Sequence, residues 1–224
     1  VPMALEELEA GDPGARLAAD VIGDRGRLIR AVPARELGAQ TARELAKRGA
    51  KVAVFDRNGA GAKAVAAEIG GVGFECDITS TESVLAALQA SSAAHGPARI
   101  LMNIAGIGTA KRLIGKDGTP MPLEDFKRVI DVNLVGTFNV TRLVVAEMVK
   151  LDPMTDGERG VVVNTASVAA FDGQVGQEAY AASKGGVVSL TLPLARDLAQ
   201  FGVRVVTIAP GLFLTPLLAN LPQE

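Results

Sequence analysis

Val161-Val162-Val163-Asn164-Thr165-Ala166-Ser167, then a loop bearing Gly173 and Gly176, then Tyr180-Ala181-Ala182-Ser183-Lys184, is the stretch that decides the fold. Its first part is a short apolar, β-branched run, which reads as a buried strand with Ser167 at its carboxyl end. The glycines mark a loop, and the second part opens a helix. A tyrosine and a lysine four apart share one helix face, so the Lys184 ammonium is expected beside the Tyr180 phenol. A free phenol titrates near about 10. A neighbouring cation favours the phenolate, which suits the tyrosine to general acid/base work near neutral pH. Tyr180 is the single tyrosine of the 224 residues. In open α/β sheets ligands bind at the carboxyl ends of the strands, so Ser167 and Tyr180 are expected to face one crevice. Taken by itself, Ser167 is better read as a strand-end or capping hydroxyl, a common use of serine.

Outward from this stretch, strands alternate with helices. The apolar periodicity predicts a helix over 39–48 closed by Gly49, a strand over 51–56, a helix over 60–69 and a strand over 72–76. A helix over 81–94 follows, its start marked by Thr79-Ser80-Thr81-Glu82, and then a strand over 99–104. A loop from Gly106 to Pro122, longer than usual connections, leads to a helical stretch over 123–150. The Val161 strand, the Tyr180 helix to about Gln200 and a strand over 203–208 complete the pattern. No repeat and no interdomain linker interrupts it. This β-α-β-α order predicts an α/β fold of one domain, a doubly wound parallel sheet of Rossmann-like type with right-handed crossovers.

Bulk properties agree with an enzyme of one domain. A chain of 224 residues buries a sizeable single core. With 23 basic and 25 acidic residues the net charge is −2, which gives no electrostatic case for nucleic acid or an anionic membrane. The single cysteine, Cys76, excludes an intrachain disulfide and reads as a small buried hydrophobe. With one histidine, His95, and no clustered carboxylates, no metal site is expected. No run of 18 apolar residues and no signal pattern was found, so no membrane contact is expected and the cytoplasm is the expected compartment.

The segment from Asn164 to Leu218, with Asn-Thr-Ala-Ser-Val-Ala-Ala-Phe, Gly-Gln-Val-Gly-Gln, Tyr-Ala-Ala-Ser-Lys-Gly-Gly and Ile-Ala-Pro-Gly-Leu-Phe, resembles the short-chain dehydrogenases/reductases. Within that family it most resembles the type-2 3-hydroxyacyl-CoA dehydrogenases, and the match reaches back to about Leu37. The resemblance implies that Tyr180 passes the proton to or from the substrate oxygen while hydride moves to or from a nicotinamide. It implies that Ser167 positions that oxygen and that Lys184 holds the nicotinamide ribose. Asn133, in Asp131-Val-Asn-Leu-Val-Gly-Thr-Phe, matches the helix asparagine that supports a proton-relay water; read without the motif it is a helix-kink or solvated amide. Asp56, at the end of the second strand, would accept the adenosine ribose hydroxyls and repel a 2′-phosphate, which favours NAD over NADP. Arg57 beside it keeps NADP as the alternative. By the same resemblance Asp77 and Ile78 contact the adenine, and Asn103-Ile104-Ala105-Gly106 is the turn that lies along the cofactor. Pro210, Gly211 and Thr215 belong to the loop over the nicotinamide.

The two ends depart from the family pattern. A Thr-Gly-x-x-x-Gly-x-Gly turn is expected after the first strand, its amides meeting the pyrophosphate at a helix start. Aligned on Leu37-Gly38, the first two glycines fall on Val32 and Glu36, so only Gly38 remains. Leu28-Ile29 makes a poor first strand. The codons ACG GGC GGT GCC AGC spell Thr-Gly-Gly-Ala-Ser; one base later they give Arg-Ala-Val-Pro-Ala, the residues at 30–34. Residues 1–36 are therefore set apart as an atypical segment, with a frameshift or misassigned start as its expected origin, and 37–224 as the dehydrogenase domain. After the Pro-Gly loop such domains continue with helix and a last strand, on the order of 30 residues. That strand is expected to be absent, and by resemblance the same part carries much of a tetramer interface, so a homo-oligomer is implied for the family and left open for this chain. Two functions stay open: an NAD-dependent oxidoreductase joining a secondary alcohol and a ketone, such as 3-hydroxyacyl-CoA and 3-oxoacyl-CoA, and an impaired member serving as a structural or interaction module.

Overall fold

The computed structural model describes residues 28–32, 36–108 and 110–211. Six strands form one parallel sheet in the order β3-β2-β1-β4-β5-β6. They are β1 (Leu28–Val32), β2 (Lys51–Asp56), β3 (Val72–Glu75), β4 (Ile100–Asn103), β5 (Gly160–Thr165) and β6 (Val203–Ile208). The helices between them are α1 (Glu36–Lys47), α2 (Gly59–Glu68), α3 (Thr81–His95), α4 (Leu123–Ile130), α5 (Thr137–Met148) and α6 (Glu178–Ala199). The doubly wound parallel sheet read from the sequence is therefore the fold, and its strand order reverses between β1 and β4, where such sheets open a crevice.

The first strand, of which Leu28-Ile29 promised little, is formed and central. It pairs with β2 on one side and β4 on the other. A slot between two hydrogen-bonding edges specifies an extended backbone whatever the side chains are. Its weakness shows in the register, which shifts between Ile29 and Val32. Residues 1–27, 33–35, 109 and 212–224 lie outside the described residues, and with them most of the altered glycine segment, Thr215 and the question of a last strand.

Side chains alternate through the sheet with period two, which divides the core into two layers. Ala53, Phe55, Leu101, Val162 and Val205 face Val84 and Leu88 of α3 and Val140, Val144 and Met148 of α5. Val52, Val54, Ile100 and Val161 face Ala39 and Ala42 of α1 and Ala62 and Val65 of α2. Cys76 is buried in the first layer, as expected, and burial pushes its thiol up to about 11.

The helical stretch after Pro122 is α4 and α5 joined through a π-helical segment, Asp131–Gly136. Within Leu123–Met148 an 18-residue part reaches a mean hydropathy of 1.4, enough by length and composition alone to cross a membrane, although charged residues interrupt the segment and no unbroken run of 18 apolar residues occurs in it. Half of its apolar window is buried in the fold, and Val129, Val140, Val144 and Met148 are core residues, so its apolarity is spent on packing. Wider π turns recur at functional sites, and this one carries Asn133.

Leu101 is fully buried at the centre of the first layer. Leu101→Ala is expected to cost about 3 kcal/mol, a lost side chain plus an uncollapsed cavity. Urea unfolding should show a lower midpoint with an unchanged slope.

Candidate active site

Ser167 follows the end of β5 and caps a short 3-10 turn, Val168–Ala170, its Oγ accepting from Ala169 N at 3.2 Å. The capping reading is therefore seen directly, and the hydroxyl hydrogen is left to donate. Pro210, just past β6, accepts from Val168 N at 2.9 Å and ties the strand end to this turn.

Tyr180 and Lys184 lie on α6 as their spacing requires. Tyr180 is half-buried, and a Cβ added at Gly108 would come 3.9 Å from its ring carbon Cδ2. Lys184 is only 4% exposed, its Nζ 5.7 Å from the Tyr180 ring centroid and 2.7 Å from the Thr165 carbonyl. The ammonium is thus held at the end of β5 by a backbone acceptor and faces the phenol through the ring. Burial pulls the Lys184 pKa down to about 8.

Asn133 is completely buried, and its side-chain amide makes three hydrogen bonds of the four it can make. Its Oδ1 accepts from Ile107 N at 2.8 Å, and its Nδ2 donates to Ile107 O at 2.8 Å and to Ser183 Oγ at 3.0 Å. Ser183 in turn donates to the Tyr180 carbonyl at 2.7 Å. One amide therefore joins the loop after β4, the π segment and the tyrosine helix. Gly106 lies against this junction: a Cβ there would sit 3.2 Å from Asn133 Oδ1 and 3.5 Å from Lys184 Nζ. Lys111 N donates to Gly176 O at 3.1 Å, which lays the long loop against the segment between Ser167 and Tyr180.

The remaining candidates line the carboxyl ends of the strands to the other side. Asp56 closes β2 and its Oδ1 accepts from Asn58 N at 2.7 Å. Asp77 follows β3, and hydrogen bonds from the Thr79 hydroxyl and backbone N–H hold its carboxyl below the usual carboxylate range. Ile78 lines a small cavity with Phe55, Asn103, Ala105, Thr137 and Val140. Asn103 turns its amide inward, to Thr141 Oγ1 at 2.9 Å and Asn164 Oδ1 at 2.8 Å, so the group expected on the cofactor side ties β4 to β5 and α5. Gly38 is buried in the first turns of α1, Gly211 is exposed beyond β6, and Thr215 lies outside the described residues.

Three contributors went unseen in the sequence: the Thr165 carbonyl, Ile107 and Ser183. Two of them act through backbone atoms, which carry no residue-type signal. Ser183 stands inside the quoted Tyr180–Lys184 motif, and its place next to the lysine was the one available clue. No group of histidine, cysteine and carboxylates able to hold a metal occurs among the described residues.

Residues 33–224 match the short chain dehydrogenase family. The chain is similar to the 3-hydroxyacyl-CoA dehydrogenase type-2 of Homo sapiens, 51% identical over 191 residues that cover 84% of this chain and 73% of that one. Its fold is similar to the crystal structure of 3-hydroxyacyl-CoA dehydrogenase type-2 from Mycobacterium avium, with a TM-score of 0.81 and 41% identity over 87% of this chain and 77% of that one. It is also similar to the 3-ketoacyl-(acyl-carrier-protein) reductase from Brucella melitensis complexed with NADH, with a TM-score of 0.77, 34% identity and coverage of 87% and 79%.

A lysine whose pKa is lower folded than unfolded releases its proton first from the folded state. Below about 8 the ammonium is charged in both states and its burial opposes folding; between about 8 and 10.5 the unfolded chain binds more protons, so stability rises with pH. The rise attributable to Lys184 is about 3 kcal/mol. Denaturant unfolding from pH 7 to 10 should show this rise in the parent chain and lose it in Lys184→Met.

Proposed function

The chain belongs to the short-chain dehydrogenase family, and from that premise we propose that it interconverts a secondary alcohol and a ketone with NAD, acting on 3-hydroxyacyl-CoA and 3-oxoacyl-CoA. The single observation that carries the reading is Lys184, a buried ammonium beside the Tyr180 ring and short of a countercharge among the described residues. An ammonium has three donors, and the Thr165 carbonyl takes one. The others suit the paired hydroxyls of a ribose, so the residues fit a nicotinamide dinucleotide.

When bound, the dinucleotide supplies the donor or acceptor of hydride. Tyr180 gives or takes the proton at the substrate oxygen. Ser167, its own oxygen occupied by Ala169 N, donates to that substrate oxygen and fixes its position. Lys184 holds the nicotinamide ribose and sets a positive charge beside the phenol. Asn133 supports a water through which the proton passes on, and its bonds to Ile107 and Ser183 keep the loop and the helix in register. Asp56 at the end of β2 favours ribose hydroxyls over a 2′-phosphate, and Asp77 and Ile78 flank the adenine. Ala105, Gly106, Pro210 and Gly211 contribute backbone along the cofactor. The substrate class rests on the names of the similar proteins, half identical across most of the domain.

Val32 and Glu36, where the family's turn carries glycine, favour a second reading, an impaired member that serves as a structural or interaction module. Titration with NADH and NADPH, followed by turnover of acetoacetyl-CoA, separates the two. The dehydrogenase binds NADH more tightly than NADPH and reduces the 3-oxo group of acetoacetyl-CoA to a secondary alcohol; failure to bind either at millimolar concentration supports the module. In the dehydrogenase, Tyr180→Phe should lower kcat by about 10²- to 10⁴-fold while NADH affinity is retained. Undiminished turnover would remove the tyrosine from its role.

A further inference from the structure

Between β3 and α3 the chain makes a short loop, and most of its order is local. Asp77 Oδ1 accepts from Thr79 N at 2.9 Å and Thr79 Oγ1 at 2.7 Å, and Asp77 N donates to Ser83 Oγ at 2.9 Å. The Ile78 carbonyl is different. It is held from α5, 61 residues away, by Asn139 Nδ2 at 2.9 Å. Asn139 is only 6% exposed, and its other amide atom is surrounded by donors. Oδ1 accepts from Thr81 Oγ1 at 3.1 Å, Arg142 Nε at 3.1 Å and Arg142 Nη2 at 2.7 Å. Arg142 Nη2 also reaches Thr81 Oγ1 at 2.8 Å. A flipped amide would turn its NH₂ towards a guanidinium that has donors alone. The surroundings therefore fix which way Asn139 points, and its donor must face Ile78.

The Ile78 side chain is fixed by packing. A Cβ at Gly136 would lie 2.7 Å from Ile78 Cγ1 and 2.8 Å from Cδ1, so glycine is what lets the isoleucine close on the π segment. Held at its carbonyl and at its side chain, Ile78 forms a wall of the cavity that it shares with Asn103 and Ala105 at the strand ends.

We propose that Asn139 is a positioning residue for the adenosine half of the dinucleotide site: its amide, oriented by Arg142 and Thr81, pre-sets the Ile78 backbone so that the wall is in place before the ligand arrives. The inference rests on the dinucleotide reading above. Preorganisation of this kind raises affinity by removing an ordering cost from the binding step. A purely structural role, in which Asn139 serves as the acceptor for Arg142 and Thr81, differs from it at one atom. Asn139→Asp keeps oxygens for both of those donors and replaces the Ile78 donor with a carboxylate oxygen against a carbonyl.

The test is a fluorescence titration of the full chain at pH 8 with NADH and, in parallel, with reduced nicotinamide mononucleotide, which lacks the adenosine. Asn139→Asp is expected to weaken NADH by about five- to tenfold, to leave the mononucleotide unchanged and to stay folded at the titration temperature. Equal NADH affinity in parent and variant overturns the proposal, as does an equal loss for both ligands. Gly136→Ala pushes on Ile78 without touching the amide network and should show the same selective loss, so it decides the matter should the aspartate variant fail to fold. A parent chain that binds no NADH refutes the dinucleotide reading and this inference with it, an outcome distinct from the other two.

Discussion

A positive charge kept almost dry is the constraint on which the site depends. Lys184 is stable in its position because the Thr165 carbonyl at the end of β5 meets its ammonium. An ion in that setting costs several kcal/mol unless it is hydrogen-bonded, and its pKa falls in response. The same contact joins α6 to the strand end, and with it Tyr180, one turn earlier, to Ser167. The destabilising group is thus also the one that brings the proposed acid/base pair to one end of the sheet. Costs of this kind gather at functional sites, where charge is held in readiness for a ligand.

Around that contact the strand ends are joined by amides. Asn103 ties β4 to β5 and α5, Asn133 ties the loop after β4 to α6, and Asn139 ties the loop after β3 to α5. An asparagine carries both a donor and an acceptor on a short stem, so it bridges two backbone segments without a net charge. The burial of these three makes them costly to leave half-paired, which fixes geometry as well as position.

Much of this was legible in the chain before folding. Val161–Val163 and Val203–Ile208 were readily legible as strands, since short β-branched runs bounded by turn residues have few other solutions, although β6, at the sheet edge, leaves Val206 and Ile208 exposed. The four-residue spacing of Tyr180 and Lys184 sets them on one face by helix geometry alone. Leu28–Val32 was harder, because a strand flanked on both sides draws its order from its neighbours' backbones. The membrane-length apolarity of 123–148 also misleads, since hydropathy counts side chains without asking which of them reach the sheet.

The sequence by itself determined the alternation of strands and helices, the parallel sheet and the pairing of phenol with cation, because all three follow from local periodicity and fixed spacing. Tertiary structure alone decided which asparagine faces which partner: Asn103 turns inward, Asn133 grips Ile107, and Asn139 holds Ile78 from 61 residues away. The reason is that an amide's direction is set by the donors and acceptors that surround it, and those arrive from segments the local sequence does not contain.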